Sequence, residues 1–100
     1  MLETLTVSQF ADCLGSKFRF HFGESEPLEA ELVDATALGP ATSRGPGSRE
    51  AFSLEFRGPL RPILPQQIYP TDHDRLGKLE LFIVPIGPDE VGMRYQVIFN

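Results

Sequence analysis

Apolar and polar residues alternate without a break along Lys17-Phe18-Arg19-Phe20-His21-Phe22, which sets every phenylalanine of that segment on one face of a strand. Gly23-Glu24-Ser25-Glu26-Pro27 has the composition of a turn, and Leu28-Glu29-Ala30-Glu31-Leu32 alternates again. A hairpin over residues 17–32 is expected, with Phe22 opposite Leu28, Phe20 opposite Ala30 and Phe18 opposite Leu32. The same register sets His21 against Glu29 and Arg19 against Glu31 on the outer face, so both faces agree on it. Beyond Leu32 the apolar positions move to Val33, Ala35 and Ala37; a parity change inside a continuing strand predicts a β-bulge near Leu32–Val33.

Residues 6–14 follow a helical period instead. Val7, Phe10 and Leu14 recur on one face, Thr6 and Gln9 have the spacing of a capping box, and Gly15 is the expected stop. So short a helix is not stable alone and is expected to lie against the rest of the chain.

Further on, residues 51–57 form an alternating strand with Phe52, Leu54 and Phe56 inward. Pro59, Pro62 and Pro65 mark an extended connector, because proline removes ladder donors. Residues 67–71 read as a short strand weakened by Pro70. Residues 79–86 are apolar on both faces (Leu79, Leu81, Ile83 against Phe82, Val84, Ile86), the pattern of a strand covered on both sides or central to the sheet. That cover would come from the helix at 6–14, the proline-rich connector or another subunit. Met93, Tyr95, Val97 and Phe99 alternate in a final strand. Residues 39–49, rich in Gly, Pro and Ser, are expected to form an exposed mobile loop. The fold class is therefore mainly β: a small antiparallel β-barrel or sandwich of five to six strands with one short N-terminal helix.

A chain of 100 residues has the size of one domain, and 41% hydrophobic with 23% charged residues is a globular balance that excludes wholesale disorder. A net charge of −5 with scattered basic residues argues against nucleic acid as a partner. Cys13 is the only cysteine, which rules out an internal disulfide and suits a reducing compartment. The opening MLETLTVSQF lacks a basic start and apolar run, and no stretch approaches the ~20 apolar residues that span a bilayer, so a cytoplasmic location away from membranes is expected.

Candidate chemistry is sparse. Asp72-His73-Asp74, with His21 elsewhere, is the best acid–base or metal candidate, set against a polar turn in which the aspartates cap backbone N–H groups. Cys13 lies near the C-terminal end of its helix, where the dipole does not favour a thiolate, and is read as a core thiol. The spacing of Pro59, Pro62 and Pro65 fits a polyproline ligand, but the apolar Leu60, Ile63 and Leu64 between them argue for packing on the core. No GxGxxG, P-loop or GxSxG pattern occurs. No catalytic, cofactor-binding or metal residue is assigned, and no cofactor.

Phe56-Arg57-Gly58-Pro59, Leu64-Pro65-Gln66-Gln67-Ile68-Tyr69, His73, Leu76-Gly77, Leu81-Phe82-Ile83-Val84-Pro85-Ile86-Gly87, Tyr95 and Val97-Ile98-Phe99-Asn100 resemble a family of small bacterial proteins catalogued as a domain of unknown function. Its members often accompany proteins with phage-tail-collar-like domains. The resemblance covers residues 50–100 well and the first half more loosely. It implies a link to tail- or fibre-like assemblies and supplies no activity or cofactor. The expected function is a non-catalytic structural or interaction module, chaperone- or adaptor-like, binding a protein partner or its own copies through a sheet edge or loop 39–49. The alternative is a small-molecule-binding barrel lined by some of its eight Phe and two Tyr. An enzyme built on His73 ranks third.

Overall fold

The computed structural model describes residues 6–24, 26–39 and 51–99. The elements are α1 (Val7–Ala11), β1 (Lys17–Phe20), β2 (Leu28–Gly39), β3 (Ala51–Gly58), β4 (Gln67–His73), β5 (Gly77–Pro88) and β6 (Met93–Phe99). All strand pairs are antiparallel, and the sheet closes as a barrel in the order β1-β2-β3-β6-β5-β4. Closure removes most of the exposed edge that an open sheet of this size would present. Most of the loop expected over 39–49 lies outside the described residues.

Alternation decides what fills the barrel. Phe18 and Phe20 from β1, Phe56 from β3 and Tyr95 from β6 are all buried. Phe56 meets Phe18 and Phe20 edge-on, at centroid distances of 5.1 and 5.2 Å, the arrangement aromatic quadrupoles favour. Both tyrosines keep a partner for their hydroxyl: Tyr95 Oη accepts from the Leu64 N–H at 3.0 Å, and Tyr69 Oη donates to the Pro65 carbonyl at 2.5 Å. Burial raises both phenol pKa values, so these hydroxyls stay neutral donors and acceptors.

The two barrel ends are stopped differently. Thr6 and Gln9 form the expected capping box, and the helix they start carries Phe10 into a ring cluster with Phe18, Phe52 and Phe99. The helix is shorter than the expected 6–14: it gives way to turns after Ala11, which leaves Leu14 exposed while Cys13 is buried. Gly15, at φ +87°, then donates its N–H to the Leu32 carbonyl at 2.8 Å. At the other end the proline-rich connector crosses the opening and inserts Leu64, whereas Leu60 and Ile63 face outward. Of the packing expected for Leu60, Ile63 and Leu64, only that of Leu64 is therefore realised.

The bulge at Val33 is present: β2 and β3 pair Leu32 with Phe56 and then Asp34 with Glu55. The β1–β2 register differs from expectation. Phe18 opposes Ala30, Arg19 opposes Glu29 and Phe20 opposes Leu28, two residues from the predicted pairing. A shift of two preserves both faces, so alternation alone cannot detect it. The cause lies across the barrel: strand β1 ends at Phe20, and the His21 N–H donates to the Pro70 carbonyl of β4 at 2.8 Å.

Pro70 does not weaken β4, which runs through to His73. A residue's N–H and C=O point to the same neighbour in an antiparallel strand. The donor that Pro70 lacks therefore falls on the β1 side, beyond the short ladder formed by Arg19 with Asp72 and Phe20 with Thr71, and the β4–β5 ladder stays whole.

Candidate functional site

The end of β4 divides the Asp72-His73-Asp74 motif, Asp72 and His73 closing the strand and Asp74 opening the turn to β5. Asp72 and Asp74 project outward and His73 projects into the barrel end, stacked on Phe18 at 4.2 Å. The ring of His73 has no free nitrogen. Nδ1 accepts from the backbone N–H groups of Arg75 and Leu76 at 3.1 and 3.2 Å, so the proton resides on Nε2. Nε2 then donates to Ser16 Oγ at 2.8 Å, and that hydroxyl donates to the Cys13 carbonyl at 2.5 Å. His73 thus ties the β4–β5 turn to the end of the α1 segment; it is a structural clasp.

Burial holds the His73 pKa below the ordinary imidazole value of 6.5. The unfolded chain therefore takes up the proton first as pH falls. The stability supplied by neutral His73 is complete above pH 6.5 and is lost as pH drops below it. Melting temperature is expected to decline between pH 7.5 and 5, and His73→Asn, whose amide oxygen can still accept, is expected to flatten that decline. Differential scanning fluorimetry across this range checks it, with an equal slope in both proteins contradicting the clasp.

The outward residues of the motif meet β1. Arg19 Nε pairs with Asp72 Oδ1, Arg19 Nη2 donates to Asp74 Oδ1 at 2.8 Å, and His21 Nε2 lies 2.5 Å from Asp72 Oδ2. The His21 hydrogen bond and then the Arg19 contacts lower the Asp72 pKa and keep it a carboxylate. The cluster borders an open cleft of 540 Å³ lined also by Pro70, Thr71, Lys78, Leu79 and Glu80. A carboxylate orienting an imidazole is half of a nucleophilic catalyst. The single hydroxyl lining the cleft, on Thr71, is buried and donates to the Tyr69 carbonyl at 3.1 Å. No activated nucleophile lies among the described residues that line the cleft. Among the described residues, no group of His, Cys, Asp and Glu gathers to hold a metal ion.

Cys13 is buried in the core, and Pro59, Pro62 and Pro65 belong to the connector that closes the barrel. Two features escaped the sequence reading. One is the convergence of Arg19, His21 and Asp72, which depends on the β1–β4 closure. The other is an outward apolar row. Ile68 and Phe82 are direct cross-strand partners and are 60% and 48% exposed. Val84 continues the row along β5, and Ile98, 46% exposed, shares the outward parity of Arg94 and Gln96 on β6. The two-faced apolar run at 79–86 signalled this row. The cover expected over it is absent among the described residues, because α1 stops the barrel end instead of lying across the sheet.

Elsewhere on the outer surface polar groups satisfy one another. Arg94 pairs with Glu55, and Arg57 donates to Asp89 through Nε and Nη2 at 2.9 and 2.7 Å. Asp89 Oδ1 also accepts from the Val91 and Gly92 N–H groups. Arg57 foremost, with those backbone donors, lowers the Asp89 pKa to about 2.

These features define a small closed antiparallel barrel, stopped by a short helix and carrying an apolar row outside. A family model described as Domain of unknown function (DUF6916) matches residues 5–99, and the chain belongs to that family. No curated protein and no solved structure matches it. No helix among the described residues is long and apolar enough to cross a membrane.

Proposed function

We propose that this barrel is a non-catalytic interaction module, adaptor- or chaperone-like, which docks an apolar surface of a protein partner on the outward face of β4 and β5. The observation that carries the reading is the Ile68–Phe82 pair, exposed side by side on an outer surface where Arg19, Arg57 and Arg94 are engaged by carboxylates. Apolar groups left outward on a sheet, away from the core they could join, are characteristic of a docking surface. The resemblance of residues 50–100 to bacterial proteins that accompany phage-tail-collar-like proteins supports a tail- or fibre-like assembly as the setting.

Phe82→Glu and Ile68→Glu place a charge at the centre of that surface without touching the core. Each is expected to leave the melting temperature nearly unchanged and to abolish association. Light scattering for self-association, with affinity capture from the source cells, checks this. Loss of the wild-type oligomer or stoichiometric partner in both variants supports the reading, and identical behaviour of variants and wild type contradicts it.

A second reading draws on the cleft beside His21 and Asp72. The barrel interior is occupied by stacked and edge-on aromatic rings, so a small ligand would sit in this outer cleft. A metabolite that raises the melting temperature in a dose-dependent way, and ceases to do so in His21→Ala, would favour it.

A further inference from the structure

On the other side of the barrel, across β1, β2 and the end of β3, lies a groove of 800 Å³. Its apolar surface comes from Phe22, Leu28, Pro59, Pro62 and Val91. Glu26, Glu29 and Glu31 border it, and none of them forms an ion pair among the described residues. Two cations also line the groove. Arg57 donates to Asp89 and also faces Glu31 across the β2–β3 ladder, and Lys17 stands opposite Glu31 in the β1–β2 ladder without an ion pair. With Asp89 beside Arg57, four carboxylates meet two cations and the groove is acidic on balance.

From these observations we infer that the groove docks an extended segment of a partner protein that alternates apolar with Lys or Arg residues. The spacing favours an extended ligand. Glu29 and Glu31 are alternate residues of one strand, about 6–7 Å apart, the same-face repeat of an extended peptide. Basic residues at alternate positions of the segment therefore reach both carboxylates, while its intervening side chains lie on Phe22, Pro62 and Val91. The prolines supply apolar wall and no N–H donors, so the affinity comes from side chains and charge instead of strand addition.

The floor is rigid. A Cβ at Gly92 would overlap the Gly58 carbonyl oxygen, and one at Gly58 would lie 3.0 Å from Leu28 Cδ2, so the chain is closely packed beneath the groove. A groove already formed adds no ordering cost on its own side, while the extended segment still pays to be fixed. The net charge of −5 adds electrostatic attraction for a basic ligand over the whole surface. This surface lies away from Ile68 and Phe82, and the inference stands without the reading of that face.

The test is fluorescence anisotropy with the full chain and a short labelled peptide that alternates lysine with leucine and valine. Saturable binding is expected, weakened at least about tenfold by Glu29→Lys with Glu31→Lys and also by Phe22→Ala. Asp74→Lys with Glu80→Lys makes the same change in net charge on the β4–β5 side and is expected to weaken it far less. Circular dichroism verifies that each variant is folded. Absence of saturable binding overturns the inference, as does equal weakening by the two double variants, which would mean charge attraction alone. Phe82→Glu is expected to leave this binding intact, which separates its outcome from that of the outward face.

Discussion

Replacing Phe56 by alanine is expected to cost about 3–5 kcal/mol of folding stability. Phe56 is fully buried at the centre of the barrel, between Leu32 on β2 and Tyr95 on β6, with Phe18 and Phe20 edge-on to its ring. Truncation loses the transfer free energy of the ring and leaves a cavity bounded by strands on every side. A closed barrel collapses into such a space only by breaking ladder hydrogen bonds, so little of the cavity cost is recovered. The two aromatic contacts add about 0.5–1.5 kcal/mol each beyond area burial. A domain of this size has ~5–15 kcal/mol of stability in total, so the variant is expected to be near its unfolding threshold at room temperature. Urea denaturation measures the effect directly. Ile63→Ala, on the exposed part of the connector, is the control and is expected to shift stability by no more than about 0.5 kcal/mol. A Phe56→Ala loss of under ~1 kcal/mol would mean that the barrel interior is not packed as described.

Gly92→Ala is expected to be nearly as damaging, for a steric reason. The added methyl would overlap the Gly58 carbonyl oxygen and press on Arg57 Cγ at 3.3 Å. The nearest obstacle is backbone, which cannot rotate away as a side chain can. Relief requires the turn after β5 to move off β3. That movement strains the Asp89 N–H to Gly92 carbonyl bond, at 2.8 Å, and the bonds from Val91 and Gly92 to Asp89 Oδ1. Overpacking of this kind costs about 1–3 kcal/mol, with the distorted turn in addition. Val91→Ala, one residue away on the surface, removes two methyl groups and is expected to do almost nothing to stability. Thermal melts of the two variants side by side give the contrast. Equal melting temperatures would contradict the close approach of Gly92 to Gly58.

The strands most legible in the sequence are those that alternate about a polar outer face. Phe52, Leu54 and Phe56, and then Tyr95, Val97 and Phe99, define β3 and β6 with their inward sides. The bulge at Val33 is equally visible, because an inserted residue exchanges the two faces and the parity change stands in the sequence. The β1–β2 register is illegible for the complementary reason. Displacement by two residues returns every side chain to its face, and only the turn of His21 toward Pro70 selects the pairing.

The polar cluster was half legible. A strand carried on from Thr71 through Asp72 and His73 sends those two side chains to opposite faces by alternation alone, and extending the strand predicted over 67–71 by two residues would have exposed that division. The meeting of Asp72 with Arg19 and His21 required knowledge that β1 and β4 close the barrel, a contact across most of the chain held by a two-residue ladder. The apolar run at 79–86 announced an unusual strand. Which face would remain outside depended on where the helix came to rest, and Phe10 takes it to the barrel end.

The proposal that the outward β4–β5 face docks a partner is tested most directly by a photo-crosslinking phenylalanine analogue placed at Phe82, with the same group at Glu55 as control. Irradiation in the source cells is expected to yield a discrete adduct of defined mass from position 82 and none from position 55. Absence of an adduct at 82, or the same set of adducts from both positions, would contradict the account.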